Sequence, residues 1–294
     1  MADCLHAPEQ HVLRVPATAV VWLAMLPASG FGAIVWSTML GTDPPAWMGF
    51  LQVSILAALV LLAGASPRWR PLRGYFLALT ALAAGYVVGD KVSGALTWEG
   101  WQARMFANTL IHAVISCGFL ALSLVGSGLT RRDVYLVKGD MAAPSHLPRW
   151  VPHLPWSRLG PLLMVILAVG LAIQLFLTVH PDLHLAGRAL LSLPAALAFA
   201  AINAAQEEFR YRAVLLARLG PAVGSTQALL VTSVMFGLDH WFGHPAGPSG
   251  VLLAGFAGYL WGKSMIETRG SAWAWLIHAF QDVVIYLLIA AAKG

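Results

Sequence analysis

Three stretches in the last third of the chain set titratable side chains at helical spacing inside apolar sequence. They are Gln206-Glu207-Glu208-Phe209-Arg210-Tyr211-Arg212, Phe236-Gly237-Leu238-Asp239-His240 and His278-Ala279-Phe280-Gln281-Asp282. Neighbouring residues on a helix point about 100° apart, so Glu207 and Glu208 face different ways. Glu208 and Arg212 are four apart with the acid first, the favoured order for a helical ion pair. That predicts a structural Glu208, held in its charged form, and a Glu207 available as a base. Phe236 and His240 lie one helical turn apart, and His278 and Asp282 share a face. A free glutamate, two histidines and an acidic partner on successive helices are the groups needed to activate water. Two His and one Glu (Glu207, His240, His278) would also suit zinc, although the tight two-residue ligand spacings of soluble zinc sites are absent. Taken alone, the first stretch has an equally good plain account: an interfacial helix end with both acids paired to Arg210, Arg212 and Arg218.

The elements that must position these residues are membrane helices. Of 294 residues, 59% are hydrophobic and 11% charged, and the mean hydropathy is +0.72. Soluble domains average about 45–50% apolar and about 25% charged, so a soluble enzyme is excluded. Apolar runs long enough to cross a bilayer fall near 17–39, 46–65, 75–97, 104–126, 159–180, 188–206, 223–242, 249–266 and 271–291. Strand alternation is not sustained anywhere, and open sheet edges do not survive in lipid. The expected fold is all-α, a polytopic bundle of eight to nine transmembrane helices. The polar start and the long first run read as a retained anchor rather than a cleaved signal. A Pro-containing loop near 127–158 divides an N-terminal four-helix region with its cytoplasmic loop (1–158) from a C-terminal catalytic core (159–294).

Basic residues set the expected orientation. Fourteen of the 18 Lys and Arg residues, from Arg14 through Arg131 to Arg269, fall in alternate loops, and only Arg104, Arg188 and Lys293 fall in the others. This places the N-terminus in the cytoplasm and the C-terminus outside. The net charge of +5 thus reports orientation, and no nucleic-acid partner is expected. Ionisable groups at membrane depth are functional candidates by default. Asp90, Lys91 and His112 take the plainer account, neutralising one another or reaching other helices. His180-Pro181-Asp182-Leu183-His184 reads as a turn, and His244 lies past a helix end. Cys4 and Cys117 make no disulfide framework, and neither a Gly-x-Ser-x-Gly elbow nor a Walker loop occurs.

In order along the chain, Glu207-Glu208 with Arg212, Phe236 with His240, and His278 with Asp282 resemble the motifs Glu-Glu-x-x-x-Arg, Phe-x-x-x-His and His-x-x-x-Asn/Asp. These are the motifs of the CAAX protease and bacteriocin-processing (CPBP) family of intramembrane endopeptidases, related to the prenyl-protein CAAX endopeptidases. The resemblance covers roughly 188–291. It implies peptide-bond hydrolysis in the membrane, with Glu207 and His240 activating water. His278 and Asp282 would steady the oxyanion or complete a metal site, with Glu208, Arg212 and Phe236 in support. The family is described both as metal-dependent and as glutamate-dependent, so the cofactor is none or a divalent metal such as zinc. Asp282 stands where Asn is frequent. An ionised Asp only accepts hydrogen bonds, so it stays protonated, orients His278 or helps bind a cation. The expected location is the bacterial inner membrane, and the expected partners are the lipid bilayer and a membrane-associated peptide or protein. The alternatives are a non-catalytic scaffold or bacteriocin-immunity protein, and a proton-coupled transporter.

One distance conflicts with this account. A turn at Gly220-Pro221 leaves Glu207 about 18 Å before it and His240 about 29 Å beyond it at helical rise. Strong tilt, a break at Gly237 or a re-entrant seventh helix would be needed to bring them level.

Overall fold

The computed structural model describes residues 15–146 and 154–293; Cys4, Arg14 and Arg149 lie outside them. Every expected run folds as helix: α1 (Val15–Ala28) and α2 (Phe31–Leu40), α3 (Trp47–Ala65), α4 (Arg73–Gly94), α5 (Trp101–Leu122), α6 (Trp156–Val179), α7 (Ala186–Leu191) with α8 (Leu193–Glu208), α9 (Val214–Val223), α10 (Ser225–Asp239), α11 (Gly247–Thr268) and α12 (Ala272–Lys293). Among the described residues no strand forms, only the isolated bridge Pro144–Pro155. The protein is all-α.

Among the described residues, five helical segments, those ending at Ala65, Gly94, Leu122, Val179 and Lys293, are long and apolar enough to cross a bilayer. The first run makes a sixth only as a pair bent by 61° between α1 and α2. The chain is an integral membrane protein. The runs near 188–206, 223–242 and 249–266 fall short of the same measure of length and apolarity. Of the helices on them, α8 and α10 are only 16 and 15 residues long, too short to cross alone, and they carry the two glutamates and lead into His240.

The expected turn at Gly220-Pro221 is not where the chain turns. Pro221 lies inside α9, and the break comes at Gly224, whose φ of +83° and ψ of 156° suit glycine alone. Pro221 cannot donate to the carbonyl four residues back, so it costs α9 one bond near its end without ending it. Moving the turn by four residues removes the depth conflict. Glu207 now lies 17 residues before Gly224 and His240 16 after it, roughly 26 Å and 24 Å at helical rise. Helix α10 runs unbroken through Gly237. Gly237 instead lets α10 and α11 touch, since a Cβ there would meet the Val251 carbonyl oxygen at 2.5 Å and Gly255 Cα at 3.2 Å.

One buried cluster runs from Val21, Leu56, Tyr75 and Leu120 to Leu216, Met235, Trp261 and Ile277, joining α1, α3, α4 and α5 to the last four helices. The long loop after α5 is tied to the α11–α12 turn. Asp140 N donates to Thr268 O (2.8 Å), Ser271 N to Val137 O (3.0 Å) and Trp156 Nε1 to Glu267 Oε2 (2.8 Å).

Candidate active site

Between α8 and α9 the helix widens into a π-turn, Phe209–Ala213. Such single-turn bulges recur at functional sites, and here the bulge follows the two glutamates directly. Glu208 is held twice on one oxygen. Arg212 Nη1 donates to Glu208 Oε1 at 2.6 Å, as the i,i+4 spacing predicts, and His278 Nδ1 donates to the same atom at 2.8 Å. Arg212 is fully buried, donates Nε–H to the Gly258 carbonyl (3.2 Å), and lies 4.1 Å over the Phe236 ring and 4.9 Å over Trp261. Gly258 permits this approach, for a Cβ there would come within 3.0 Å of both Arg212 and Phe236.

Glu207 is treated differently. Its Oε1 stands 3.9 Å from Arg210 Nη2. Its Oε2 is buried and makes no hydrogen bond among the described residues, with His278 Nε2 nearest at 3.5 Å. His240 caps α10 and donates Nδ1–H to the Phe236 carbonyl at 2.8 Å. A carbonyl can only accept, so in the neutral ring Nε2 is left as the free acceptor. The His240 ring packs on Phe236 at 4.3 Å, and the His278 ring stacks on Trp261 at 4.1 Å and 17°. Phe236 therefore stands between the two histidines, 6.0 Å from His278.

His278 and Asp282 share a face, but Nε2 to Oδ2 is 3.7 Å. The hydrogen bond to Asp282 comes from Asn203, whose Nδ2 donates to Oδ2 at 3.1 Å while its Oδ1 accepts from Gln206 Nε2 at 3.0 Å. Asn203 and Trp261 are the site neighbours that motif spacing missed. Asn203 could have been found: it lies in an apolar helix four residues before Glu207, hence on the same face. Trp261 gives no sequence signal beyond its type.

The other intramembrane candidates pair away from this centre. His112 Nε2 meets Asp90 Oδ1 at 3.2 Å and its Nδ1 meets Ser116 Oγ at 3.2 Å, while Lys91 lies 5.3 Å over Phe50. Asp90 therefore joins His112 across helices rather than its neighbour Lys91. Ser116 is fully buried, and the Gly85 backbone closes over it, leaving no room for a substrate.

A cavity of about 280 Å³ adjoins the site, walled by apolar side chains of α6 and α11, such as Ile166, Leu171 and Leu253, with His240, His278 and Asp282 also lining it. Helix α6 packs broadly on α12 but barely on α11. Among the described residues, no three His, Cys, Asp or Glu side chains converge as metal ligands. As placed, Glu207, His240 and His278 do not converge as one ligand set.

Residues 189–284 match the family described as type II CAAX prenyl endopeptidase, Rce1-like. No curated protein and no solved structure is significantly similar to the chain. The matched segment holds all three motifs, and over it the chain is similar to the CAAX endopeptidase family that those motifs resemble.

Proposed function

We propose that this protein is an intramembrane endopeptidase that hydrolyses a peptide bond in a membrane-associated protein or peptide. The observation that carries this is the contrast between two adjacent carboxylates. Glu208 takes two hydrogen bonds on Oε1, from Arg212 and His278, whereas Glu207 makes none among the described residues and lies 3.5 Å from His278 Nε2 and 3.9 Å from Arg210 Nη2; Oε2 is without a partner on both. A base needs a free lone pair, and both oxygens of Glu207 keep theirs.

In the reaction, water attacks the scissile carbonyl carbon as Glu207, helped by the free Nε2 of His240, takes its proton. The carbonyl oxygen becomes an oxyanion, stabilised by Nε2–H of His278 in its imidazolium form, since the Nδ1–H is given to Glu208; Asn203 and Asp282 set the local polarity. Collapse breaks the C–N bond, and the proton held by Glu207 passes to the leaving amine. Glu208 and Arg212 keep the helix and His278 in register. The apolar cavity beside the histidines supports a substrate that carries an apolar group, as a prenylated C-terminal segment does. Nine membrane crossings, with the N-terminus cytoplasmic and the C-terminus outside in a bacterial inner membrane, complete the proposal and follow from the basic-residue distribution.

The test is cleavage of a panel of membrane-tethered peptides, prenylated and plain, by the purified protein and its Glu207→Gln variant. Cleavage by the parent alone supports the proposal; equal cleavage by both removes Glu207 from the chemistry.

A further inference from the structure

A second cavity, of about 600 Å³, is walled by the α1–α2 break, the start of α3, the middle of α4 and the far end of α10. It shares no lining residue with the apolar cavity, although Asp239 of one and His240 of the other are adjacent in the chain. Gln52, Tyr86, Asp90, Lys91, Tyr211 and Asp239 line it. Asp239 is fixed there by the backbone N–H of Gly30, so the N-terminal helices are tied to the residue next to His240.

The inner wall leads to Glu207. The Tyr86 and Tyr211 hydroxyls meet at 2.5 Å. The Arg210 guanidinium lies 4.9 Å over the Tyr86 ring and 5.5 Å over that of Tyr211, and its Nη2 faces Glu207. Arg210 is 3% exposed, and its Nε and Nη1 find no hydrogen-bond partner among the described residues. Burying a guanidinium with two idle donors is costly unless water reaches them. The wall of the neighbouring cavity is more apolar than polar, but Gln52, Asp90, Lys91 and Asp239 line it, and it has room for about 20 waters at ~30 Å³ each.

We infer that this cavity is an aqueous vestibule that brings water past Tyr86 and Tyr211 to Arg210 and Glu207. Its role in turnover rests on the proposed hydrolysis. The apolar cavity then receives the membrane-held part of the substrate, and the vestibule supplies the second reactant. Tyr86 makes the N-terminal helices part of the working site, although they lie outside the segment that matches the endopeptidase family.

The test uses the full chain, lacking Cys4 and Cys117, in open membrane fragments, with single cysteines at Gln52 in the vestibule and at Leu61 on the outer face of the same helix. A positively charged methanethiosulfonate reagent needs water to reach and ionise a thiol. It is expected to modify Gln52→Cys at least ten times faster than Leu61→Cys, and equally slow modification of both overturns the inference. Modification of Gln52→Cys is further expected to lower kcat on a cleaved peptide at least tenfold at unchanged KM, with recovery on reduction. Full turnover by the modified protein overturns the water route. If the parent cleaves no peptide, the proposed hydrolysis fails, and the labelling alone still decides whether the cavity is aqueous.

Discussion

His278 and Arg212 reach the same oxygen of Glu208, from 2.8 Å and 2.6 Å, from a helix 70 residues away and from the next helical turn. This shared oxygen locks α12 to the π-turn. In the proposed reaction Glu208 is therefore the structural carboxylate and its neighbour Glu207 the base.

Removing the shared acceptor's charge leaves Arg212, fully buried, without a counter-ion. Breaking one side of a buried ion pair costs about 3–5 kcal/mol. Glu208→Gln is expected to lower the thermal midpoint in detergent by several degrees and to abolish cleavage, whereas Glu207→Gln is expected to leave the midpoint within about a degree of the parent. Equal midpoints for the Glu208 variant and the parent would show that the pair does not hold the helices together.

Asn203 is a positioning residue for Asp282 through a single 3.1 Å hydrogen bond. Its loss leaves a buried acceptor unpaired, at about 1–3 kcal/mol. Asn203→Ala is expected to reduce kcat about tenfold or more with little change in KM. An unchanged kcat would mean that Asp282 needs no help from α8.

Gly237 holds α10 against α11 three residues before His240. A Cβ added there meets backbone rather than a side chain that can swing away, and such overpacking costs about 1–3 kcal/mol. Gly237→Ala is expected to destabilise the protein and to slow cleavage by shifting His240. Gly94→Ala, where a Cβ meets nothing within 4 Å, serves as the control and is expected to change neither.

Asp282→Asn separates metal-free from metal-dependent catalysis. Without a metal, the site stabilises the oxyanion by hydrogen-bond donors, each worth about 100- to 1000-fold in turnover. The amide adds a permanent donor, so activity is expected to be kept or raised, most clearly at high pH. Metal content measured on the same samples completes the test. Stoichiometric zinc in the parent, lost together with activity in the variant, would defeat the metal-free scheme.

The sequence made some of this legible and hid the rest for physical reasons. The Glu208–Arg212 pair was readable because i,i+4 contacts are fixed by helix geometry. Its second partner, His278, was not, because packing between α8 and α12 decides which nitrogen meets which carboxylate. The His278–Asp282 spacing suggested a direct bond, yet Asp282 turns to Asn203. The turn before α10 was misplaced because Gly220-Pro221 is a strong breaker on paper, while the Gly224 conformation is what ends the helix. The apolar runs fixed every helix, but length and apolarity alone do not decide which of the polar ones cross the bilayer. Reporter fusions bear on that point: positions 70 and 140 are expected in the cytoplasm, 43 and 294 on the far side. Residue 294 in the cytoplasm would remove one crossing.

The central claim is that Glu207 is the base. Its most direct measurement is single-turnover cleavage of a membrane-tethered peptide by the parent and by Glu207→Gln at matched folded concentration, with thermal midpoints recorded alongside. The expected result is cleavage lost in the variant by at least 1000-fold, with an unchanged midpoint. Cleavage within tenfold of the parent would contradict the assignment.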